Sequence, residues 1–235
     1  MILPRAILFD LDDTILASGQ RPAILLEIAL EFAPRLGPHT PEHVADTLEH
    51  ELELFWSDPA RHQAARFGLA EARRTVAVRA FDGLGLSEDL AIAFADRFSE
   101  VRERLAELFP GARETLETIR SRGVLMALVT NGPAATQRAK IERFTLASLF
   151  DHIQIEGEAG FGKPEERAYL HAMQALGVGP ADTWMVGDHL EWEVAAPQRL
   201  GIYAIWHDPY GRGLPPGSPV RPDRIIRRLA DLIAT

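Results

Sequence analysis

Asp10, Asp12 and Asp13, with the hydroxyl of Thr14 beside them, follow directly on an apolar run, Ala6-Ile7-Leu8-Phe9. Clustered carboxylates repel one another and resist burial, so a chain that sets three of them at the edge of a buried strand has a cation or a developing charge to meet there. Other chemistry-bearing residues punctuate the second half: Thr130-Asn131-Gly132 after Val124 to Val129, Gly162-Lys163-Pro164, and Gly187-Asp188 with Glu191 and Glu193 close behind. Each has an ordinary reading as a turn, hairpin or cap residue. Together they bring carboxylates, a hydroxyl and an ammonium to the ends of several strands, which ordinary turn chemistry does not explain.

That set suits the hydrolysis of a phosphate ester. Asp10 is the candidate nucleophile, attacking phosphorus in line to give an aspartyl phosphate and so dividing one difficult hydrolysis into two easier steps. Asp12 is the candidate general acid/base, protonating the leaving alkoxide and then taking a proton from the attacking water, with a pKa raised by its acidic neighbours. Lys163 offsets charge on the nucleophile and the phosphoryl group; Thr130 and the Asn131 backbone donate hydrogen bonds to the phosphoryl oxygens. Thr14 supports the loop and Asp13 is turn chemistry. Carboxylates and a phosphate dianion cannot share a site unneutralised, which calls for a hard divalent cation with oxygen ligands, Mg²⁺.

The elements that must position these residues follow from periodicity. Short apolar runs at residues 5–10, 124–129, 153–155, 184–186 and 202–206 alternate with helical patterns at about 113–122, 134–146, 165–176 and 193–200. Alternation of this kind predicts a doubly wound parallel α/β sheet of Rossmann-like type, whose ligand crevice lies at the C-terminal strand ends. Between them apolar residues recur at helical spacing, as in Val44, Leu48, Leu52 and Phe55, with loops at 34–41, 57–59 and 82–87 and Ser87 as an N-cap. The expected organisation is an α/β core of residues 1–16 and 108–235 with an all-helical second domain, 17–107, inserted. Pro209 to Pro222 reads as a surface loop before a last helix.

The chain has 235 residues, 46% of them hydrophobic, enough for one large or two smaller cores. It has no cysteine, which excludes disulfides and thiolate chemistry, and a formal net charge of -9, which argues against nucleic acid or anionic lipid as partner. Apolar stretches too short for a bilayer and a start that runs straight into a strand point to a cytoplasmic location.

The four motifs, in order, resemble those of the haloacid dehalogenase superfamily of aspartate-nucleophile hydrolases, in particular its phosphatase branch with a helical type 1 cap. Asp10-Leu11-Asp12-Asp13-Thr14 is similar to the first, Thr130-Asn131 to the second, Lys163-Pro164 to the third and Gly187-Asp188 to the fourth. The resemblance implies Mg²⁺ ligands from Asp10, Asp188 and the backbone carbonyl of Asp12 and a small phosphorylated metabolite as substrate; the apolar stripes of the inserted helices suit their own core or a dimer contact, so a monomer or homodimer is expected. It implies a cap that closes over the crevice and sets specificity. Glu193 departs from the pattern, standing where the family usually has aspartate; its extra methylene lets it reach the metal only through water or a shifted loop. Asp12 favours a phosphatase over a 2-haloacid dehalogenase, because a halide leaves without a proton. A sugar phosphomutase, or a silent phosphate-binding regulatory protein, are the other readings. In the inserted region Arg61, His62 and Arg66 either meet a polar substrate or form a solvated helix face, and His39 and His43 lack a further metal ligand.

Overall fold

Along the first strand, β1 (Ala6–Phe9), Ile7 and Phe9 face one way and Ala6 and Leu8 the other, and all four are fully buried. A strand buried on both faces belongs in the middle of a parallel sheet covered by helices. The computed structural model describes residues 3–58, 61, 64–65 and 68–234 and places β1 there. In chain order the further strands are β2 (Leu16–Ala17), β3 (Glu107–Leu108), β4 (Leu125–Thr130), β5 (His152–Ile155), β6 (Thr183–Gly187), β7 (Tyr203–His207) and β8 (Arg224–Ile226). Six of them form one sheet in the order β5-β4-β1-β6-β7-β8, with every pairing parallel.

Contacts divide the chain into two units, Met1–Ala17 with Glu107–Thr235, and Ser18–Ala106. The first unit is the expected α/β fold. One face of its sheet packs through Ile7, Phe9, Met126 and Leu128 against Leu116, Ile119 and Ile141 of the helices Ala112–Ser121 and Ala134–Arg143. The other packs through Leu8, Ala127 and Met185 against Tyr169, Ala172 and Met173 of the helix Glu166–Leu176. Because β1 lies between β4 and β6, the chain moves outward on one side of it and then on the other, which opens a crevice at their C-terminal ends.

Two features differ from the sequence expectation. Among the described residues no last α-helix follows Pro222. Instead β8 adds a sixth strand against β7 and a 3-10 turn, Leu229–Leu232, follows it. The β-branched pair Ile225-Ile226 suits an edge strand, and Leu229 and Leu232, three apart, fall on one side of a 3-10 turn. The helix expected at 193–200 begins earlier, as a π-helical turn at Leu190–Ala195 that runs into Ala196–Arg199. Where the chain leaves and re-enters this unit, Leu16–Ala17 pairs antiparallel with Glu107–Leu108.

The second unit holds the helices Arg21–Phe32, Pro41–Trp56, Leu69–Gly83 and Glu88–Leu105 around its own core of Ile28, Val44, Leu48, Phe81 and Phe94. Ser87 caps the last of these, its Oγ accepting the Leu90 N–H at 3.4 Å. Among the described residues no helix is long and apolar enough to cross a membrane.

Candidate active site

Asp10 stands one residue beyond β1, its backbone N–H still tied to Val186 O of β6 at 3.0 Å. Its nearly buried carboxylate receives two side-chain donors: Lys163 Nζ at 2.5 Å on Oδ1 and Thr14 Oγ1 at 3.3 Å on Oδ2. Lys163 is fully buried, and its ammonium also reaches Glu193 Oε1 at 2.7 Å. The other oxygen of Glu193 accepts the His189 N–H at 2.8 Å. Asp10, Lys163 and Glu193 thus form one buried chain of charge, assembled from the end of β1, the loop after the short helix Glu156–Ala159 and the π-helical turn after β6.

Local sequence explains how the pieces fit. Asp13 adopts a left-handed φ of 56°, which Asp tolerates, and donates its N–H to Leu16 O at 2.7 Å, closing the turn that presents Asp10 and Asp12. Asn131 holds the Lys163 backbone from both sides: Nδ2 donates to Lys163 O at 2.7 Å, and Oδ1 accepts Lys163 N–H at 2.9 Å. Gly162 leaves room for this grip, because a β-carbon there would lie 2.6 Å from Asn131 Oδ1. Asn131 is therefore a clamp on the lysine loop as well as part of the Thr130-Asn131 segment. Trp206 Nε1 donates to the Asp188 carbonyl at 2.6 Å and fixes the loop after β6.

Charge at this centre is unbalanced toward the negative. Burial pushes the Asp10 carboxyl up; Lys163 opposes this and Glu193 and Asp12 add to it, leaving its pKa at about 7. Asp188 is raised well above the carboxylate range, first by burial and then by Glu193, Asp10 and Asp13. Burial also raises Glu193 against the pull of Lys163. For Lys163 burial acts downward, yet Asp10 and Glu193 together outweigh it and keep the ammonium firmly protonated. Three carboxylates, Asp10, Glu193 and Asp188, stand against the Lys163 ammonium, and hard oxygen donors in excess of positive charge fit a divalent cation of the Mg²⁺ type. Among the described residues no three His, Cys, Asp or Glu side chains form a group that could by themselves hold a metal ion.

Two residues that sequence reasoning missed hold Asp12. Lys140 Nζ lies 2.7 Å from Asp12 Oδ1 and 2.8 Å from Oδ2, and Gln137 Nε2 donates to Oδ2 at 2.9 Å. The sequence surrounded Asp12 with acids; in the structure an ammonium and an amide also bind it. Gln137 Nε2 reaches Thr130 Oγ1 too, at 2.5 Å. Their spacing of three on the helix directly after Thr130-Asn131-Gly132-Pro133 is the signal that could have found them.

Other candidates take structural roles. Glu191 pairs with Arg199 on the surface at 2.8 Å. Trp192 stacks on His189, with ring centroids 4.5 Å apart. In the helical unit Arg61 pairs with Asp58 at 3.3 Å and is exposed, whereas His62 and Arg66 lie outside the described residues. His39 Nε2 bonds to Leu84 O at 2.8 Å, which gives that ring a packing role.

A strand-end aspartate salt-bridged to a buried lysine on this sheet defines a class, and sequence comparison supplies the family. Residues 4–201 match the model of the haloacid dehalogenase-like hydrolases, and the chain belongs to that family. It is 35% identical over 164 residues to a phosphoserine phosphatase of Thermus thermophilus, a match spanning 70% of this chain and 59% of that enzyme. An N-acylneuraminate-9-phosphatase of Rattus norvegicus is 28% identical across 98% of this chain and 92% of its own length. Among solved structures the HAD-hydrolase YfnB of Bacillus subtilis superposes with a TM-score of 0.75 at 21% identity, covering 98% of this chain and 97% of that one. A 2-haloacid dehalogenase of Pseudomonas syringae gives 0.58 at 27% identity over 98% and 97%.

Proposed function

We propose that this hydrolase is a Mg²⁺-dependent phosphomonoesterase acting on a small phosphorylated metabolite, such as a sugar phosphate, nucleotide or phosphorylated acid, with residues 17–107 as the family's cap domain. The observation that carries the reading is the buried Lys163 ammonium set on Asp10 at 2.5 Å with a second aspartate, Asp12, two residues further on. A nucleophile held beside a fixed positive charge suits attack on an anionic phosphoryl group.

Asp10 attacks phosphorus and becomes the aspartyl phosphate. Asp12 gives a proton to the departing alkoxide and takes one from the water that opens the intermediate, regenerating Asp10. Lys163 keeps its charge throughout and steadies the phosphoryl oxygens, and Thr130 with the Asn131 backbone offers them hydrogen bonds. Asp10, Asp188 and the Asp12 carbonyl would hold Mg²⁺, which supplies charge neutralisation for the phosphoryl group. Glu193, bound to Lys163 and the His189 N–H, serves by holding the lysine. A 2-haloacid dehalogenase would leave Asp12 without work, because halide needs no proton.

The test is phosphate release from a panel of phosphorylated metabolites, with and without Mg²⁺, by the parent and by Asp10→Asn. Metal-dependent release by the parent and none by the variant is the expected result; equal release by both would remove Asp10 as nucleophile. Chloride release from a 2-haloacid, with no phosphatase activity, would move the protein to the dehalogenases.

A further inference from the structure

We propose that Lys140 and Gln137 are positioning residues for Asp12, tying the proton-transfer carboxylate to the helix that follows Thr130. This rests on the phosphatase reading above and adds two residues to it.

Three contacts from two side chains converge on one carboxylate: Lys140 Nζ on both oxygens at 2.7 and 2.8 Å, and Gln137 Nε2 on Oδ2 at 2.9 Å. An ordinary surface ion pair is weakly held because both partners are solvated and mobile. Here Gln137 is 2% exposed, and the side chains of Lys140 and Asp12 are 23% and 35% exposed. Burial fixes the amide, and the amide fixes the carboxylate. The same Nε2 donates to Thr130 Oγ1 at 2.5 Å, so one atom joins the candidate acid/base to the candidate phosphate-binding hydroxyl.

The fold makes this possible. β1 and β4 are neighbours in register, Phe9 beside Leu128, so the loop after β1 and the helix Ala134–Arg143 after β4 emerge side by side. Gln137 and Lys140 lie about one helical turn apart and present their donors to that loop. Proton transfer demands a heavy-atom separation near hydrogen-bond length, and an aspartate in a loop loses most of its effect if its rotamer wanders. Gln137 and Lys140 remove that freedom and set the distance between Asp12 and a phosphoryl group held at Thr130.

The role predicts a dependence on leaving group that a merely structural contact would not produce. p-Nitrophenol departs from phosphorus as a stable anion, whereas benzyl alcohol needs a proton. With enzyme in excess over p-nitrophenyl phosphate or benzyl phosphate, single-turnover leaving-group release isolates the first step. Lys140→Met is expected to slow benzyl alcohol release by roughly tenfold or more, and p-nitrophenol release by less than about threefold. Lys140 is partly exposed, so the variant is expected to fold, and a thermal melt run alongside verifies this. Equal slowing of both substrates, no slowing of either, or faster benzyl release would overturn the role of Lys140 while leaving the phosphatase reading intact. A folded parent that releases neither leaving group would overturn the role together with the reading beneath it.

Discussion

Glu193 folds back over Gly187: a β-carbon on Gly187 would fall 1.9 Å from Glu193 Cγ and 2.7 Å from its Cβ. The close approach puts the Glu193 carboxylate on the Lys163 ammonium, and it explains a glycine at the end of a fully buried strand. Gly187→Ala is therefore expected to push Glu193 off Lys163, lowering kcat by roughly tenfold or more and destabilising the fold by about 1–3 kcal/mol through overpacking. Steady-state kinetics and a denaturant titration check the two effects. Wild-type values in both would mean that the turn relaxes without cost.

Glu193 and Asp10 share one lysine, so the charge of one bears on the ionisation of the other. Glu193 raises the Asp10 pKa, and burial, the larger cause, brings it to about 7. Glu193→Gln removes that repulsion while keeping the shape. In the cation-free protein Asp10 then ionises at lower pH, and its carboxyl titration followed by NMR in a chelator is expected to move down. A titration that stays in place or moves up would show that Glu193 does not act on Asp10.

The α/β core was legible because strands buried on both faces read as short apolar runs, as β1, β4, β6 and β7 do, whereas β5, at the sheet edge, showed only through Ile153 and Ile155. β8 was not, since Arg224-Ile225-Ile226 is brief, follows a proline-rich loop and leaves Ile225 half exposed at the sheet edge. In the site, Asp10 was legible as an acid at a strand end, and Lys163 as a lysine between Gly162 and Pro164 ahead of a helix. The partners of Asp12 were missed for a different reason: Gln137 and Lys140 are unremarkable helix residues until strand order brings their helix beside the loop after β1. Glu193 was recognised as a departure, but its bond to Lys163 depends on the π-helical turn, and no short-range pattern announces one.

Cation binding should be visible in stability as well as in rate. The raised pKa of Asp10, about 7, and the upward shift of Asp188 mean that the cation-free folded state holds protons which the unfolded chain has already released. A carboxyl raised on folding gives stability that is fully present below its unfolded pKa, about 4, and is lost as pH rises from there through the folded value. In a chelator the melting temperature is therefore expected to fall between about pH 5 and pH 7.5 relative to a variant lacking the charge, Asp188→Asn. Mg²⁺ offsets the repulsion, so its stabilising effect should be larger at about pH 7.5 than at about pH 5.5. An Mg²⁺ effect that is absent, or larger at the lower pH, would rule out these carboxylates as its ligands.

Tyr169 supports the same turn from beneath the sheet. Its side chain is fully buried, its hydroxyl donates to Trp192 O at 2.5 Å, and burial pushes its pKa well above that of an ordinary tyrosine, keeping the proton on the donor. Trp192 is the residue before Glu193, so this hydrogen bond pins the π-helical turn that brings Glu193 to Lys163. Tyr169→Phe keeps the ring and its packing but leaves a main-chain carbonyl without that donor, a loss of about 1–2 kcal/mol. For a chain of this size that corresponds to a fall in melting temperature of roughly 2–8 °C. If the turn carries the effect onward, kcat drops a further two- to fivefold, because Lys163 loses alignment with Asp10 and the phosphoryl group while Thr130 and the Asn131 backbone stay in place. A stability loss with unchanged kcat would confine Tyr169 to the core and show that the turn holds Glu193 without it.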